Sequence, residues 1–84
     1  MEIYVLIEHS SGEEKLSLDS LQVFSSFEKA SEALKEKYKN IIVDIYKYGK
    51  ITEAELQDEY YYIVLEENGF ETVYRGLIQK TAIN

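Results

Sequence analysis

The sequence predicts an α+β fold. We expect a mainly antiparallel sheet of four to five strands with one main helix on one face, in the order β-β-α-β-(α)-β-β. Three observations carry this. Several runs are β-branched or aromatic and alternate at period two. One segment opens on a helix-capping signal and continues with apolar residues at helical spacing. Asn68-Gly69, between two alternating runs, marks a hairpin.

In chain order, Ile3 to His9 reads as a strand, with Ile3, Val5 and Ile7 on one face and Tyr4, Leu6 and Glu8 on the other. Ser10 to Glu14 is a polar turn around Gly12, and Leu16 and Leu18 alternate with Lys15 and Ser17 as a short returning strand. Leu21, Val23 and Phe24 lead into the helix. Ser25 is the expected N-cap with Glu28 as its capping-box partner. Phe27, Ala30, Leu34 and Tyr38 form the apolar stripe, with Ala33 beside it. Lys37 and Lys39 suit a last turn, and Asn40 is the expected stop.

Ile41 to Tyr48 is β-branched and aromatic and predicts a third strand, closed by a turn at Gly49-Lys50. Thr52 to Glu55 matches a second capping box, and Ile51 with Leu56 matches a hydrophobic staple, so a short helix is expected over 53–58. Tyr60–Glu67 and Phe70–Gln79 are the arms of the hairpin. A two-residue type I′ loop at Asn68-Gly69 puts Glu67 opposite Phe70, Tyr62 opposite Arg75 and Tyr61 opposite Gly76. One helix covers one face of such a sheet. The other face keeps tyrosines and aliphatic residues in the open, a surface for a partner or a second copy.

The chain has 84 residues, and a single domain, 1–84, is expected. Nine basic and sixteen acidic residues give a net charge of −7, which argues against direct nucleic-acid binding through bulk charge. There is no cysteine and one histidine, so thiolate zinc sites, disulfides and cysteine nucleophiles are excluded. The apolar run after Met1 is bracketed by Glu2 and Glu8, too short for a signal peptide or a membrane span. A cytoplasmic protein without membrane association is expected.

His9, Ser10, Ser11 and Asp19 are neighbours in sequence, but alternation along a strand turns His9 and Ser10 to opposite faces, and no G-x-S-x-G turn is present. Glu13, Glu14 and Asp19 lack calcium-loop spacing. No phosphate-binding glycine motif occurs. No catalytic residue, metal site or cofactor is therefore expected.

Charge is unevenly spread. Residues 1–26 carry a net −4, residues 27–52 a net +2 and residues 53–84 a net −5. Glu53, Glu55, Asp58 and Glu59 form a dense acidic run leading directly into Tyr60-Tyr61-Tyr62. Carboxylates beside tyrosines offer planar contact area next to acceptors for Arg and Lys. Glu53, Glu55, Asp58, Glu59, Tyr60 and Tyr62 are therefore the candidate partner-binding residues, suited to a protein with a basic groove and able to imitate phosphates there.

The run Val23-Phe24-Ser25-Ser26-Phe27-Glu28-Lys29-Ala30, preceded by Tyr4-Val5-Leu6-Ile7-Glu8, resembles a pattern in small uncharacterised α+β proteins of bacteria and their phages. There a first strand is followed by V-F-S-S-x-E-K-A opening a helix. The resemblance covers roughly the first forty residues by its own extent and implies a phage or mobile-element setting; it carries over no active site. The functional expectation is a non-enzymatic binding protein that inhibits or modulates a host protein through its acidic, tyrosine-bearing surface. The alternative is a structural or assembly protein that homodimerises through the uncovered sheet face.

Overall fold

The structure, a computed structural model, describes residues 1–12, 15–45, 47 and 49–83. It contains β1 (Glu2–Gly12), β2 (Lys15–Phe24), α1 (Phe27–Ile45), β3 (Lys50–Leu56), β4 (Tyr60–Glu67) and β5 (Phe70–Ala82). The five strands form one antiparallel sheet in the order β2-β1-β5-β4-β3, with α1 against one face. The mainly antiparallel α+β class is as expected.

The hairpin follows the sequence reading. Asn68 and Gly69 both have positive φ, 52° and 84°, as a type I′ loop requires. Glu67 pairs with Phe70, Tyr62 with Arg75 and Tyr61 with Gly76. Strand β5 is the centre of the sheet, between β1 and β4, and β1 lies between β2 and β5.

Alternation divides the residues between two faces. Toward the helix point Leu6, Glu8, Tyr61 and Ile63, all buried, with Phe24, Tyr74 and Ile78 packed around them. Leu34 of α1 completes the centre of this core, flanked by Ala33, Tyr38, Ile41 and Ile42. Tyr61 lies edge-on to Tyr38, ring centroids 6.1 Å apart, and its hydroxyl donates to Glu8 Oε1 at 3.2 Å. Burial, and then the charge of Glu8, push the Tyr61 phenol well above its ordinary range.

Several expectations are corrected. The third strand is not at Ile41–Tyr48, because α1 runs on to Ile45 and Asn40 does not stop it. Ile41 and Ile42 continue the stripe of Leu34 and Tyr38 one turn further and pack on the core, and this burial outweighs their strand propensity. Lys37 and Lys39 therefore lie inside the helix, and its last turn carries no basic residue. Tyr46 and Tyr48 lie outside the described residues.

The short helix over 53–58 is absent, and Lys50–Leu56 is the edge strand β3. Two turns of helix would form few hydrogen bonds for a costly nucleus, whereas β4 offers a complete ladder. Thr52, the expected cap, is the extra residue of a bulge between Ile51 and Glu53, and its Oγ1 donates to the Val64 carbonyl at 3.5 Å. Ile51 faces the core instead of stapling to Leu56.

The helix cap is Ser26, not Ser25. The Lys29 N–H donates to Ser26 Oγ at 3.3 Å, and Ala30 N–H donates to the Ser26 carbonyl at 3.2 Å. With the cap one residue later, Glu28 is at the second helical position and cannot reciprocate. Leu21, Val23 and Phe24 belong to β2, which is longer than the sequence suggests. Ser10, Ser11 and Gly12, expected in the first turn, instead extend β1 and pair with both β2 and β5, while Glu13 and Glu14 lie outside the described residues.

Candidate functional site

Among the described residues, no element packs on the face away from α1. Its β3–β4 half holds most of the sequence-predicted site. Glu53 and Glu55 alternate with Ala54 on β3 and point outward, while Ala54 is opposite core residue Ile63. On β4, Tyr60 and Tyr62 alternate with buried Tyr61 and share this outward face.

The four side chains are linked diagonally. Glu55 is opposite Tyr62 in the ladder, yet its Oε2 accepts a hydrogen bond from the Tyr60 hydroxyl. Glu53 is opposite Val64, and its Oε2 accepts from the Tyr62 hydroxyl at 3.4 Å. A tyrosine is long enough to span to the diagonal neighbour on the next strand. Gln57 Nε2 donates to Glu55 Oε1 at 3.0 Å.

The Tyr60 bond, and then the Gln57 bond, hold the Glu55 carboxyl below its ordinary range. The same Glu55 bond, then burial, then the carboxylate charge raise the Tyr60 phenol. Glu55 is thus a firm carboxylate and Tyr60 a firm donor at neutral pH. Across the next ladder, the Arg75 guanidinium carbon sits 5.5 Å from the centre of the Tyr62 ring. Leu77 is opposite Tyr60. Glu55, Tyr60, Tyr62, Arg75 and Leu77 border an open groove of about 440 Å³.

The acidic run does not stay together. Asp58, in the turn after β3, is drawn to the helix side, where Lys35 Nζ meets its Oδ1 at 2.8 Å. Its carbonyl accepts from Ser31 Oγ at 2.7 Å. Glu59 is exposed in the same turn, and its carbonyl accepts from the Ile78 N–H at 2.9 Å. So Glu53, Glu55, Tyr60 and Tyr62 converge, while Asp58 is held by Lys35 of the helix and Glu59 stays in the exposed turn. Arg75 and Leu77 belong to the site but were not among its candidates. The hairpin register was the available signal, since it places Arg75 beside Tyr62 and Leu77 beside Tyr60.

His9 lies on the open face opposite Arg75, whereas Asp19 lines a cleft beneath the helix with Glu8, Lys37 and Tyr74. The His9–Asp19 pairing considered from sequence does not assemble. Among the described residues, no three His, Cys, Asp or Glu side chains are grouped to hold a metal ion, and no helix is long and apolar enough to cross a membrane. Comparison with protein-family models, curated proteins and solved structures finds no match to this chain.

Proposed function

We propose that this chain is a non-enzymatic binding protein that seats the β3–β4 half of its uncovered face in a basic groove of a protein partner. The carrying observation is the diagonal pairing of Tyr60 with Glu55 and of Tyr62 with Glu53 beside an open groove. Two rings held by their hydroxyls lose little freedom on binding, which lowers the entropy cost of the contact. Each carboxylate keeps lone pairs free for an incoming Arg or Lys. Leu77 and the ring faces supply the apolar component.

Binding is favoured over catalysis by the electrostatics. Glu53 and Glu55 are exposed, and Glu55 is held more acidic, the opposite of what a general acid needs at neutral pH. The net charge of −7 would steer a basic partner inward, and paired carboxylates can occupy positions that phosphates would take. A phage or mobile-element protein, the setting that residues 23–30 imply, could modulate a host protein in this way.

A nona-arginine peptide serves as a probe for the basic groove, with affinity measured by calorimetry. Tyr60→Ala with Tyr62→Ala, and Glu53→Gln with Glu55→Gln, should each weaken binding by about tenfold. Glu28→Gln with Glu32→Gln removes the same charge from the helix and should change it by less than about twofold. Equal losses for both acidic pairs and none for the tyrosine pair would mean that bulk charge alone attracts the peptide, and would overturn the reading.

A further inference from the structure

We infer that the cleft between α1 and the β1–β2 ladder binds a small zwitterion carrying an ammonium and a carboxylate, the chemistry of a free α-amino acid. The inference is independent of the partner site on β3–β4. Glu8 of β1, Asp19 and Ser20 of β2, Lys37 and Ile41 of α1, and Tyr74 of β5 line this cleft of about 240 Å³. Pockets for drug-sized ligands run from about 300 to 1,000 Å³, so the occupant of this one is smaller.

The carboxylates are placed for a ligand. Glu8 is only 5% exposed, and a carboxylate taken so far out of water needs donors on both oxygens. Oε1 has one. Gly76 lies between Glu8 and Tyr61, so the Tyr61 ring crosses β5 and brings its hydroxyl to 3.2 Å. Among the described residues no donor reaches Oε2, and no fully enclosed polar side-chain atom lacks a partner, so Oε2 opens onto the cleft that Glu8 lines. Asp19 arrives there through a bulge. Ser20 is opposite Glu8 and Leu18 opposite His9, which leaves Asp19 as an extra residue with no partner in β1. In a regular strand Asp19 and Ser20 point to opposite faces, whereas the bulge brings both into the cleft. Burial first, and the Asp19 charge after it, raise the Tyr74 phenol, which stays protonated beside these carboxylates at neutral pH.

Donor and charge matching choose the ligand. A primary ammonium has three N–H donors, which suit Glu8 Oε2, the Asp19 carboxylate and the Ser20 hydroxyl. A divalent cation is a poorer match. It asks for about six oxygen ligands, and among the described residues no three His, Cys, Asp or Glu side chains are grouped to supply them. Lys37 adds a positive charge to the same cleft and selects the second group. Among the described residues the ion pairs are Lys35–Asp58 and Lys80–Glu2, and Lys37 meets no carboxylate at ion-pair distance. A simple cation entering the cleft is repelled by Lys37. A ligand that also carries a carboxylate turns this repulsion into a contact. Ile41 supplies an apolar wall for a short side chain.

Nuclear magnetic resonance titration of the labelled full chain tests this with L-valine, with isobutylamine, which is valine without its carboxylate, and with isovalerate, which is valine without its ammonium. L-valine should shift the signals of Ser20, Lys37 and Tyr74, and each truncated probe should bind at least about fivefold more weakly. Glu8→Gln removes the charge but keeps an acceptor for Tyr61, and Asp19→Asn removes the charge at an exposed position where folding is not at stake. Each should weaken L-valine about tenfold with an unchanged circular-dichroism spectrum. Lys37→Gln should bring L-valine down to the level of isobutylamine. Glu53→Gln with Glu55→Gln should leave its affinity unchanged, which sets the cleft apart from the β3–β4 surface. L-valine that shifts no cleft residue, isobutylamine that binds as tightly as L-valine, or an L-valine affinity indifferent to Asp19→Asn and Lys37→Gln would overturn the proposal.

Discussion

Gly76→Ala should be among the most damaging single-methyl changes available in this chain. Gly76 lies directly opposite Tyr61 in the β4–β5 ladder, and the Tyr61 ring lies across the space a side chain would fill. A Cβ at residue 76 would stand 2.2 Å from Tyr61 Cε2, 2.7 Å from Cδ2 and 2.8 Å from Cζ. Those are rigid ring atoms of a side chain only 2% exposed, so the ring must move as a body. Moving it disturbs the packing on Tyr38 and withdraws the hydroxyl from Glu8, whose carboxylate is itself buried. Overpacking of this kind costs about 1–3 kcal/mol, and a buried acceptor left without its donor a further 1–3 kcal/mol. Against this, alanine recovers about 0.5–1 kcal/mol of backbone entropy relative to glycine. The net loss is about 3 kcal/mol, which for a domain of this size lowers the Tm by roughly 12–24 °C. Urea and thermal denaturation followed by circular dichroism would measure it. The same substitution in a Tyr61→Leu background should cost far less, because the colliding ring is gone. A Gly76→Ala protein as stable as the parent, or an equal loss in both backgrounds, would refute the reasoning.

Two further effects follow from local geometry. Ser26→Ala should lower stability by about 1 kcal/mol, since the Lys29 N–H loses its acceptor, while Ser25→Ala should stay within about 0.5 kcal/mol of the parent; denaturant titration separates them. Tyr61 ionises less readily in the folded chain than its ordinary value of 10.0, because of burial and then the nearby Glu8 charge. Its contribution is therefore complete below pH 10 and is lost as pH rises beyond it, so stability should fall in the alkaline range and Tyr61→Phe should flatten that fall in a pH series of melting curves.

What could be read from the sequence was what local chemistry encodes. Asn68-Gly69 requires two positive-φ residues, and once the loop length is fixed the whole β4–β5 register follows, including Tyr62 beside Arg75. The helix start was legible to within a residue because serine caps are local; two adjacent serines left their order open. Ile41 and Ile42 were misread because β-branching favours a strand in isolation, and only the core under Leu34 and Tyr38 makes a helix the better burial. Thr52 to Glu55 looked like a capping box, yet its fate depends on β4, a partner beyond any local window. The placing of β1 beside β5 joins the two ends of the chain, makes β5 the central strand and has no local signal. In the candidate site, alternation brought Glu53, Glu55, Tyr60 and Tyr62 to one face. Asp58 was lost to it through Lys35, a contact 23 residues away in sequence.

The face assignment is tested most directly by nuclear magnetic resonance of the labelled protein titrated with the nona-arginine peptide. Shifts should concentrate on Glu53, Glu55, Tyr60, Tyr62, Arg75 and Leu77, the residues around the β3–β4 groove, and fade as salt is raised. They should be small at Asp58, which Lys35 holds on the other side. Shifts centred on the helix acids Glu28, Glu32 and Glu36, with Tyr60 and Tyr62 unmoved, would contradict the account.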